Sequence, residues 1–500
     1  MGALEQVETG KQGLIISRNP ATGEVLGEVR EMDAPEVRAA VERARGAQKV
    51  WATRSVKERA CSLRRFRAVL VKHSEELCSL IAKESGKTRA EALTMELVTT
   101  CDLITYFCKR APEVLKPHSI SLHLLKNRSS YIHYVPRGIV GVISPWNFPF
   151  AIPIGETVMA LIAGNGVVLK PSEVTPMVAL KAKQLYDESG MPPELFQVVT
   201  GRGSTGAALV DAGIDYCNFT GSTATGRKIG AACGERLIPC MLELGGKAPA
   251  IVCADADVDR TARALVWGGF ANQGQVCASV ERVYVHSAIY DELCEKIIAE
   301  TSKLRQGDPC SDGVDAGSMT WEHQVEIVEA RIKNAVDAGA QLRSGGKRYG
   351  QGLGFEPTVL TDCRSDMEVM KKEIFGPVLP LMKVADEEEA IALANDSNLG
   401  LMAYVFTDDR KKGQRIAERI EAGMVMINDC LIVYGAPETP WQGIKQSGIG
   451  RTHSDDGLRD LCQSRHVNYD RIALKRELWW YPYSDALYRQ TSTLLKWIFR

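Results

Sequence analysis

The chain has 500 residues, more than one ordinary core needs, so we expect two or three domains. Its 61 Lys and Arg residues balance 62 Asp and Glu residues, and the formal net charge of −1 argues against a nucleic-acid partner. Apolar residues make up 45% and charged residues 25%, which is typical of a globular protein and excludes disordered and collagen-like classes.

Fourteen cysteines are spread along the chain between Cys61 and Cys462. No pair has C-x-x-C spacing, and no second cysteine or histidine lies at a zinc-binding spacing, so we predict no metal site. The chain begins without the basic and apolar segments of a secretory signal. We therefore expect reduced thiols and a cytoplasmic location.

The predicted elements begin with a strand and turn over residues 17–29, followed by helical patterns over 34–51 and 57–85. Residues 131–142 are rich in β-branched and aromatic side chains and predict strands. The stretch 138–169 is apolar enough to suggest a membrane-spanning helix, but its prolines and polar side chains would break such a helix. We interpret it as strand, loop, helix and strand.

Short apolar strands then alternate with helical segments, and a second alternating series runs from Ala250 to about Asn428. Alternation of this kind is typical of a parallel sheet with crossover helices. The sequence therefore predicts an α/β fold with two lobes of similar size.

Two glycine clusters are candidates for binding a phosphate. Residues 201–206, GRGSTG, match G-x-G-x-x-G, but no acidic residue follows until Glu235, so a plain loop is the better interpretation. Residues 219–226, FTGSTATG, lie between a predicted strand and a predicted helix, where free backbone N–H groups suit a pyrophosphate. Arg227 and Lys228 break the nucleoside-triphosphate loop pattern, which argues against ATP hydrolysis.

Cys277 in FANQGQVCAS is a candidate nucleophile, although most cysteines are small buried side chains. It follows a Gly-Gln pair, and no histidine lies within eight residues of it. Since the thiolate is the reactive form, we expect a cationic or helix-terminal setting that lowers its pKa. Three glutamates have two possible roles: each could form a salt bridge, or could activate water if it lies beside a reactive thiol. They are Glu243, Glu173 and Glu373.

Seven segments in order give the chain a resemblance to the aldehyde dehydrogenase superfamily over residues 15–470. They are PWNFP (145–149), KPSE (170–173), FTGSTATG (219–226), ELGGK (243–247), FANQGQVC (270–277), EIFGP (373–377) and SGIGR (447–451). The resemblance implies an α/β fold with a Rossmann-type NAD-binding domain, an α/β catalytic domain and a small β oligomerisation arm.

The resemblance also implies domain bounds. Residues 1–117 and 137–247 would form the NAD-binding domain, and 248–446 the catalytic domain with its thiol. Residues 118–136 and 447–475 would form the oligomerisation arm and C-terminal segment, followed by an aromatic and basic tail at 476–500. A homodimer or homotetramer is expected.

In the family that the chain resembles, Cys277 would be the nucleophile, and Asn147 would form the oxyanion hole with the Cys277 backbone N–H. Glu243 would be the general base, and Lys170, also counted as catalytic, would hold the adenosine ribose with Glu173. The full set of implied cofactor-binding residues is Ile143, Pro145, Trp146, Lys170, Ser172, Glu173, Gly203, Gly221, Ser222, Gly226, Leu244, Glu373 and Phe375.

The implied reaction oxidises an aldehyde to a carboxylic acid through a cysteine thiohemiacetal and a thioester. A carboxylate at Glu173 would repel a 2′-phosphate, so NAD is expected rather than NADP. A CoA-acylating relative and a catalytically silent dinucleotide-binding protein are the alternatives. Where the family usually has P-F-G-G-x-K, this chain has Trp441 and Gln442, which would alter the loop beside the active site.

The implied substrate is a hydrophobic aliphatic or aromatic aldehyde. Ile154 and Ala271 stand where succinate-semialdehyde enzymes of the family carry arginines, so neither can bind a carboxylate. The expected apolar funnel contains Phe148, Phe150, Ile152 and Ile154, beside Gly155. Succinate semialdehyde or another semialdehyde is the alternative substrate.

The last thirty residues hold six basic and two acidic side chains and are rich in Trp and Tyr. Residues 484–500 predict an amphipathic helix. One interpretation is packing against a neighbouring subunit or the chain's own core. The other is peripheral membrane contact through residues 476–500, since Trp, Tyr and basic side chains suit a lipid surface.

Overall fold

The computed structural model describes residues 13–477 and 479–499. The chain divides into two compact units. The larger comprises Met1–Leu115 and Val135–Gln463, and the smaller comprises Lys116–Tyr134 and Ser464–Arg500.

The strands follow one another along the chain with these bounds: β1 (Leu14–Arg18), β2 (Val25–Arg30), β3 (His118–Ile120), β4 (Arg128–Pro136), β5 (Ile139–Ile143), β6 (Gly166–Lys170), β7 (Phe196–Val198), β8 (Tyr216–Thr220), β9 (Cys240–Glu243), β10 (Ala248–Val252), β11 (Val280–His286), β12 (Gln341–Ser344), β13 (Arg348–Tyr349), β14 (Gly354–Phe355), β15 (Thr358–Thr361), β16 (Val378–Val384), β17 (Leu399–Gly400), β18 (Met402–Phe406), β19 (Met424–Ile427), β20 (Ile444–Lys445), β21 (Gly448–Ile449) and β22 (Cys462–Asp470).

The α-helices have these bounds: α1 (Ala34–Ala52), α2 (Val56–Lys72), α3 (Ser74–Ser85), α4 (Arg89–Glu91), α5 (Thr99–Val114), α6 (Ala151–Ala163), α7 (Pro176–Glu188), α8 (Gly203–Asp211), α9 (Thr223–Glu235), α10 (Val258–Phe270), α11 (Tyr290–Thr301), α12 (Glu322–Asp337), α13 (Glu368–Lys371), α14 (Glu387–Asn395), α15 (Arg410–Ala417), α16 (Ser454–Asp460) and α17 (Asp485–Ile498). A π-helical turn occupies Ala92–Val98, and short 3₁₀ turns occupy Pro193–Leu195, Ala271–Gly274 and Ile432–Gly435.

Local sequence signals explain several helix ends. Asp33 and Glu36 form a capping box at the start of α1, and Ser55 and Glu58 form another at the start of α2. The helical pattern expected over residues 57–85 is two helices, because the chain departs from helical geometry at His73. Gly86 ends α3 in a left-handed conformation, as the sequence indicates.

The first large sheet has the strand order β21-β9-β8-β5-β6-β7. Strands β5 to β9 run parallel, with β5 flanked by β6 on one side and β8 on the other. The strand order therefore reverses beside β5, which is where doubly wound sheets bind ligands at their carboxyl edge. Helix α1 packs Val37 and Val41 into the core on this sheet.

The second large sheet has the strand order β12-β15-β16-β11-β10-β18-β19 and is parallel except for the edge strand β12. Both of its faces are covered. Along β10, Ala250 and Val252 belong to one core cluster, whereas Ile251 belongs to the cluster on the opposite face.

The apolar stretch 138–169 forms β5, a loop, α6 and β6, which confirms the interpretation as strand, loop, helix and strand. Every residue of α6 is buried within the protein. In the described part of the chain, no helix is both long and apolar enough to cross a membrane.

The smaller unit carries a three-stranded sheet in the order β22-β4-β3. Strand β3 pairs antiparallel with β4, with His118 opposite Ile132. The expected C-terminal helix is α17, which Ser484 caps by accepting a hydrogen bond from the N–H of Leu487. None of its residues is buried.

Candidate active site

Cys277 follows a tight turn with left-handed backbone. Asn272 and Gln273 have φ angles of 50° and 56° in the 3₁₀ segment Ala271–Gly274. Gly274 has a φ of 67°, and a Cβ there would lie 2.2 Å from the carbonyl oxygen of Gly376, so only glycine fits. Three consecutive left-handed residues are unusual, and such strain tends to occur where a functional loop is held by its surroundings.

Asn147 lies in the loop between β5 and α6 and is hydrogen-bonded to the Cys277 loop. Its side-chain Nδ2 donates to the carbonyl of Gln275 at 2.9 Å. Its own carbonyl accepts from Asn272 Nδ2 at 3.0 Å and from Lys87 Nζ at 2.8 Å. Since an amide nitrogen carries two N–H groups, the bond to Gln275 orients the side chain and leaves a second donor.

Lys87 and Glu96 support this loop and were not found from the sequence. Lys87 Nζ is paired with Glu96 Oε1, and both side chains are completely buried. Glu96 Oε2 accepts from the backbone N–H of Phe150 at 2.8 Å and of Ala151 at 2.9 Å. Glu96 sits in the π-helical turn Ala92–Val98, a local irregularity that frequently marks functional sites but leaves no simple sequence pattern.

Glu243 ends strand β9 and is buried beside the predicted pyrophosphate turn. The N–H of Gly221 donates to the Glu243 carbonyl at 2.9 Å. The Glu243 side chain accepts from the indole Nε1 of Trp441 at 3.0 Å. Burial and the nearby carboxylate of Glu156 raise the pKa of Glu243 well above its usual value, opposed by hydrogen bonds from Trp441 and the backbone of Gly443.

Cys277 is brought next to the segment that follows Glu243. A Cβ on Gly246 would lie 2.2 Å from the Cys277 carbonyl oxygen, so the two segments meet at their backbones. The expected cationic or helix-terminal setting is wrong: burial, followed by the charges of Glu243 and Glu373, raises the pKa of the Cys277 thiol to about 12. The physical reason is that carboxylates, which oppose a thiolate, are the charged neighbours that act on it.

A second buried pair links ELGGK to EIFGP. Lys247 Nζ lies 2.9 Å from Glu281 Oε2, and Glu281 accepts from the backbone N–H groups of Ile374 and Phe375 at 3.0 and 2.8 Å. Glu373 Oε1 accepts from the N–H of Gly246 at 2.9 Å, and burial raises its pKa. Glu281 was not found from the sequence, because a glutamate in a strand carries no signal of its distant partners.

Most of the residues expected to bind the cofactor lie at the carboxyl edge of the first sheet, whereas Glu373 and Phe375 precede β16 of the second sheet. Ile143 ends β5, Lys170 ends β6, and Gly221 follows β8. Gly203 begins α8, while Ser222 caps α9 by accepting from the N–H of Thr225 at 3.3 Å. Pro145, Trp146, Ser172, Glu173 and Leu244 occupy the loops after β5, β6 and β9.

Several of these side chains contact one another. Lys170 Nζ lies 3.3 Å from Glu173 Oε2. The ring of Trp146 packs edge-on against Phe375, with centroids 5.3 Å apart. A Cβ on Gly226 would lie 2.3 Å from a methyl group of Leu244, so glycine permits the close approach of α9 to that loop.

These features fit a pyridine nucleotide. A helix N-terminus beside glycine suits the pyrophosphate, and a carboxylate with an adjacent ammonium suits ribose hydroxyls. Ser144, directly after β5, has a buried hydroxyl with no hydrogen-bond partner within residues 13–477 and 479–499, which leaves a polar atom for a ligand. In the same residues, no cluster of His, Cys, Asp or Glu could hold a metal ion.

The expected apolar funnel needs a correction. Phe150 and Ile154 are both 0% exposed, so their side chains belong to the core and do not line an open passage. The side chains of Phe148 and Ile152 are slightly more accessible, with 8% and 6% of their surface exposed. The reason is that α6 is surrounded by protein on all sides, so its apolar side chains are buried at every position along the helix.

Comparisons with known proteins agree with this geometry. A family model for the aldehyde dehydrogenase family matches residues 7–467. A 4,4'-diapolycopene aldehyde oxidase from Methylomonas sp is 38% identical over 488 residues, 97% of this chain and 91% of that protein. A Mycolicibacterium smegmatis protein provisionally named as an NADP(+) succinate-semialdehyde dehydrogenase is 38% identical over 454 residues, 90% of this chain and 88% of that protein.

A solved structure has the same fold. It is the NAD+ complex of an aldehyde dehydrogenase from Bacillus cereus, with a TM-score of 0.88 and 34% identity, covering 91% of this chain and 93% of that chain. The chain therefore belongs to the aldehyde dehydrogenase family. It is an oxidoreductase that acts on aldehydes with a pyridine nucleotide, and the expected fold class is confirmed.

Proposed function

We propose that this chain oxidises aldehydes to carboxylic acids with Cys277 as the nucleophile, Asn147 as the oxyanion donor and Glu243 as the general base. One observation carries the proposal: three segments distant in sequence meet at one place. Asn147 bonds the Gln275 carbonyl, two residues before Cys277, and Gly246, three residues after Glu243, abuts the Cys277 carbonyl.

In the first step, the Cys277 thiol loses its proton to solvent, the thiolate sulfur bonds to the aldehyde carbon, and the carbonyl oxygen becomes an oxyanion. The second N–H of the Asn147 amide and the backbone N–H of Cys277 stabilise this oxyanion, and removal of one such donor typically costs about 2.7–4 kcal/mol. Because Asn147 is held from both its side chain and its carbonyl, its donor needs no reorganisation as charge develops.

A bound pyridine nucleotide would supply the hydride acceptor, and loss of hydride from the thiohemiacetal carbon would leave Cys277 as a thioester. Glu243 takes a proton from water as the water oxygen bonds to the acyl carbon. The C–S bond breaks, the carboxylic acid forms, and the departing Cys277 thiolate takes the proton from Glu243 to regenerate the thiol. A carboxylate whose pKa is raised by burial is a better base near neutral pH than an ordinary one.

A CoA-acylating activity is the nearest alternative. Glu243 supports hydrolysis, because its Oε1 has no hydrogen-bond partner in the described part of the chain and can accept from water. Product analysis separates these activities: we expect the free acid with or without coenzyme A, and an acyl-CoA product would favour the alternative. A silent dinucleotide-binding protein would produce no NADH with any aldehyde.

We propose hydrophobic aliphatic or aromatic aldehydes as the substrate class. Phe148 and Ile152, which keep 8% and 6% of their surface exposed, support an apolar approach, and Ala271 offers no charge for a carboxylate. The relative named as a 4,4'-diapolycopene aldehyde oxidase agrees with this choice, whereas the one named for succinate semialdehyde favours the alternative. A panel of hexanal, benzaldehyde and succinate semialdehyde tests it, and a strong preference for succinate semialdehyde would contradict it.

We propose a cytoplasmic, homo-oligomeric enzyme, a dimer or a tetramer. All fourteen cysteines are free thiols, which supports a reducing compartment. The three-stranded sheet with β3 at one edge supports pairing between subunits, since an edge strand offers unpaired backbone groups. Sedimentation velocity tests this, and a monomer at micromolar concentration would contradict it.

We also propose peripheral membrane contact through the tail at 476–500. Leu494, Leu495 and Ile498 are exposed along α17 beside Trp497 and Phe499, and the absence of buried residues in α17 argues against packing in the chain's own core. An exposed apolar row with basic neighbours suits an anionic lipid surface.

Deleting residues 484–500 should abolish flotation with vesicles that contain anionic lipid. Leu494→Asp should weaken flotation in the same way, whereas the control Thr493→Asp, on the polar side of α17, should weaken it less. A deletion that changes only the oligomeric state would favour subunit packing instead.

A further inference from the structure

Trp441 contacts the proposed general base directly. Its indole Nε1 donates to Glu243 Oε2 at 3.0 Å, and both side chains are only 4% exposed. A phenyl ring at this position could not donate a hydrogen bond, so the bond to Glu243 depends on the indole N–H that tryptophan supplies.

The position of the indole is fixed by its own segment. The backbone of Trp441 pairs with Thr452 in both directions, at 3.0 and 2.9 Å. Its ring packs edge-on against Tyr434, with centroids 4.9 Å apart and planes at 87°. A donor held by two backbone bonds and a ring contact loses little conformational freedom when it binds a carboxylate.

The other oxygen of Glu243 is in a different situation. Oε1 is buried and has no hydrogen-bond partner in residues 13–477 and 479–499. An unsatisfied buried carboxylate oxygen is costly, and such atoms are found where a water or a ligand takes part in function. One oxygen is thus held and the other is open, which gives the carboxylate a defined orientation.

We propose that Trp441 is a positioning residue for thioester hydrolysis: its indole N–H holds Glu243 Oε2, so that Oε1 faces the attacking water. This inference rests on the proposed role of Glu243. In the step itself, Oε1 takes one proton from water, the oxygen bonds to the acyl carbon, and Cys277 leaves as the thiolate and recovers the proton.

The charges around Glu243 indicate what removal of the indole would do. The titratable groups that interact with Glu243 are Glu156 on α6, Cys277 and Tyr434. Burial and Glu156 raise the pKa of Glu243, and hydrogen bonds from Trp441 and from the backbone of Gly443 lower it. Without the indole, the carboxylate would ionise only at a higher pH, and it would lose the side-chain bond that holds Oε2.

Trp441→Phe tests the proposal, because it keeps an aromatic side chain and removes only the donor and part of the ring. The matched control is Trp51→Phe, since Trp51 is also buried and its Nε1 donates to the Leu161 carbonyl in α6 at 2.8 Å. Both variants lose one buried indole hydrogen bond, and thermal melts show whether their stabilities fall alike.

For Trp441→Phe, we expect a rapid burst of NADH followed by a steady state about tenfold slower than in the parent enzyme. The steady-state pH profile should move to higher pH. Added hydroxylamine should restore turnover, because it attacks the thioester without a base, giving the hydroxamic acid and free Cys277. Trp51→Phe should show none of these changes.

An unchanged steady-state rate in Trp441→Phe would overturn the proposal. So would an equal loss in the burst and the steady state without rescue by hydroxylamine, which indicates a merely structural effect. Glu243→Gln separates this result from failure of the proposed function. If Glu243→Gln turns over normally, Glu243 is not the base and the proposed mechanism fails, whatever Trp441→Phe does.

Discussion

The ammonium nitrogen of Lys170 lies 3.3 Å from Oε2 of Glu173, at the carboxyl end of β6. Lys170 is buried, and Glu173 keeps about a third of its side chain exposed. The carboxylate is therefore held on the protein side while its other oxygen remains available. This arrangement suits two ribose hydroxyls and opposes the charge of a 2′-phosphate, which is why we propose NAD.

Glu173→Gln should shift the cofactor preference towards NADP. Loss of the negative charge removes the repulsion of a 2′-phosphate, so the ratio of kcat/KM for NADP to that for NAD should rise by roughly tenfold or more. Initial rates with each cofactor at a fixed aldehyde concentration measure this ratio. Glu388→Gln, an exposed carboxylate on α14, is the control and should leave the ratio unchanged. A parent enzyme that prefers NADP would contradict the proposal.

The thiol of Cys277 should react slowly at neutral pH in the absence of cofactor. Burial and the carboxylates of Glu243 and Glu373 raise its pKa to about 12, so the thiolate is a small fraction at pH 7 to 9 and rises tenfold per pH unit. Alkylation by iodoacetamide, followed by mass spectrometry of the Cys277 peptide, measures this slope. Cys61 is exposed, and alkylation of its peptide in the same digest serves as the internal standard for the reactivity of the reagent. A rate that levels off below pH 9 would show that the thiol is activated.

Lys87→Met should destabilise the protein and slow catalysis. The substitution leaves the carboxylate of Glu96 buried without its cation, and breaking a buried ion pair from one side typically costs about 3–5 kcal/mol. It also removes the donor to the Asn147 carbonyl, so kcat should fall as well. Urea titrations measure the free energy of unfolding. Lys333→Met removes an exposed pair with Asp337 and should cost roughly 0.5 kcal/mol or less.

Glu84 should make stability depend on pH. Ser17, Met177 and Val178 donate to its carboxylate, but burial dominates and raises its pKa from 4.5 to about 7. Between these values, the folded state binds a proton that the unfolded state does not. The stabilisation is therefore complete below pH 4.5 and is lost as pH rises to about 7, and it amounts to roughly 3 kcal/mol.

Glu84→Gln removes this titration. The difference in free energy of unfolding between parent and variant should fall as pH rises from 4.5 to 7 and then stay constant. Urea titrations at several pH values provide the measurement. A difference that is the same at every pH in this window would mean that Glu84 keeps an ordinary pKa when the protein folds.

Features with a local cause could be predicted from the sequence. The prolines between β5 and β6 separate a strand, a loop and a helix, and Gly86 ends α3, because each acts through its own backbone. The three segments that carry Asn147, Glu243 and Cys277 were expected to form one site, and the structure brings them into contact.

Features that depend on distant partners could not be predicted. Lys87 pairs with Glu96 through a π-helical turn, and Glu281 holds backbone groups nearly a hundred residues away in the chain. The direction of the Cys277 pKa shift depends on carboxylates that only the fold brings near the thiol. Ile154 was placed in the funnel because it stands where succinate-semialdehyde enzymes of the family carry an arginine. Composition cannot distinguish a helix that is buried on every side, as α6 is, from a helix with one apolar face.

Cys277→Ala decides whether Cys277 carries the oxidation, when the variant is assayed for NADH formation with hexanal and NAD beside a binding titration with NAD. We expect that the variant binds NAD as the parent does, forms no acyl-enzyme and loses aldehyde oxidation by a factor of at least about 10³. A Cys277→Ala enzyme that forms NADH at the parent rate would contradict the proposed role of Cys277.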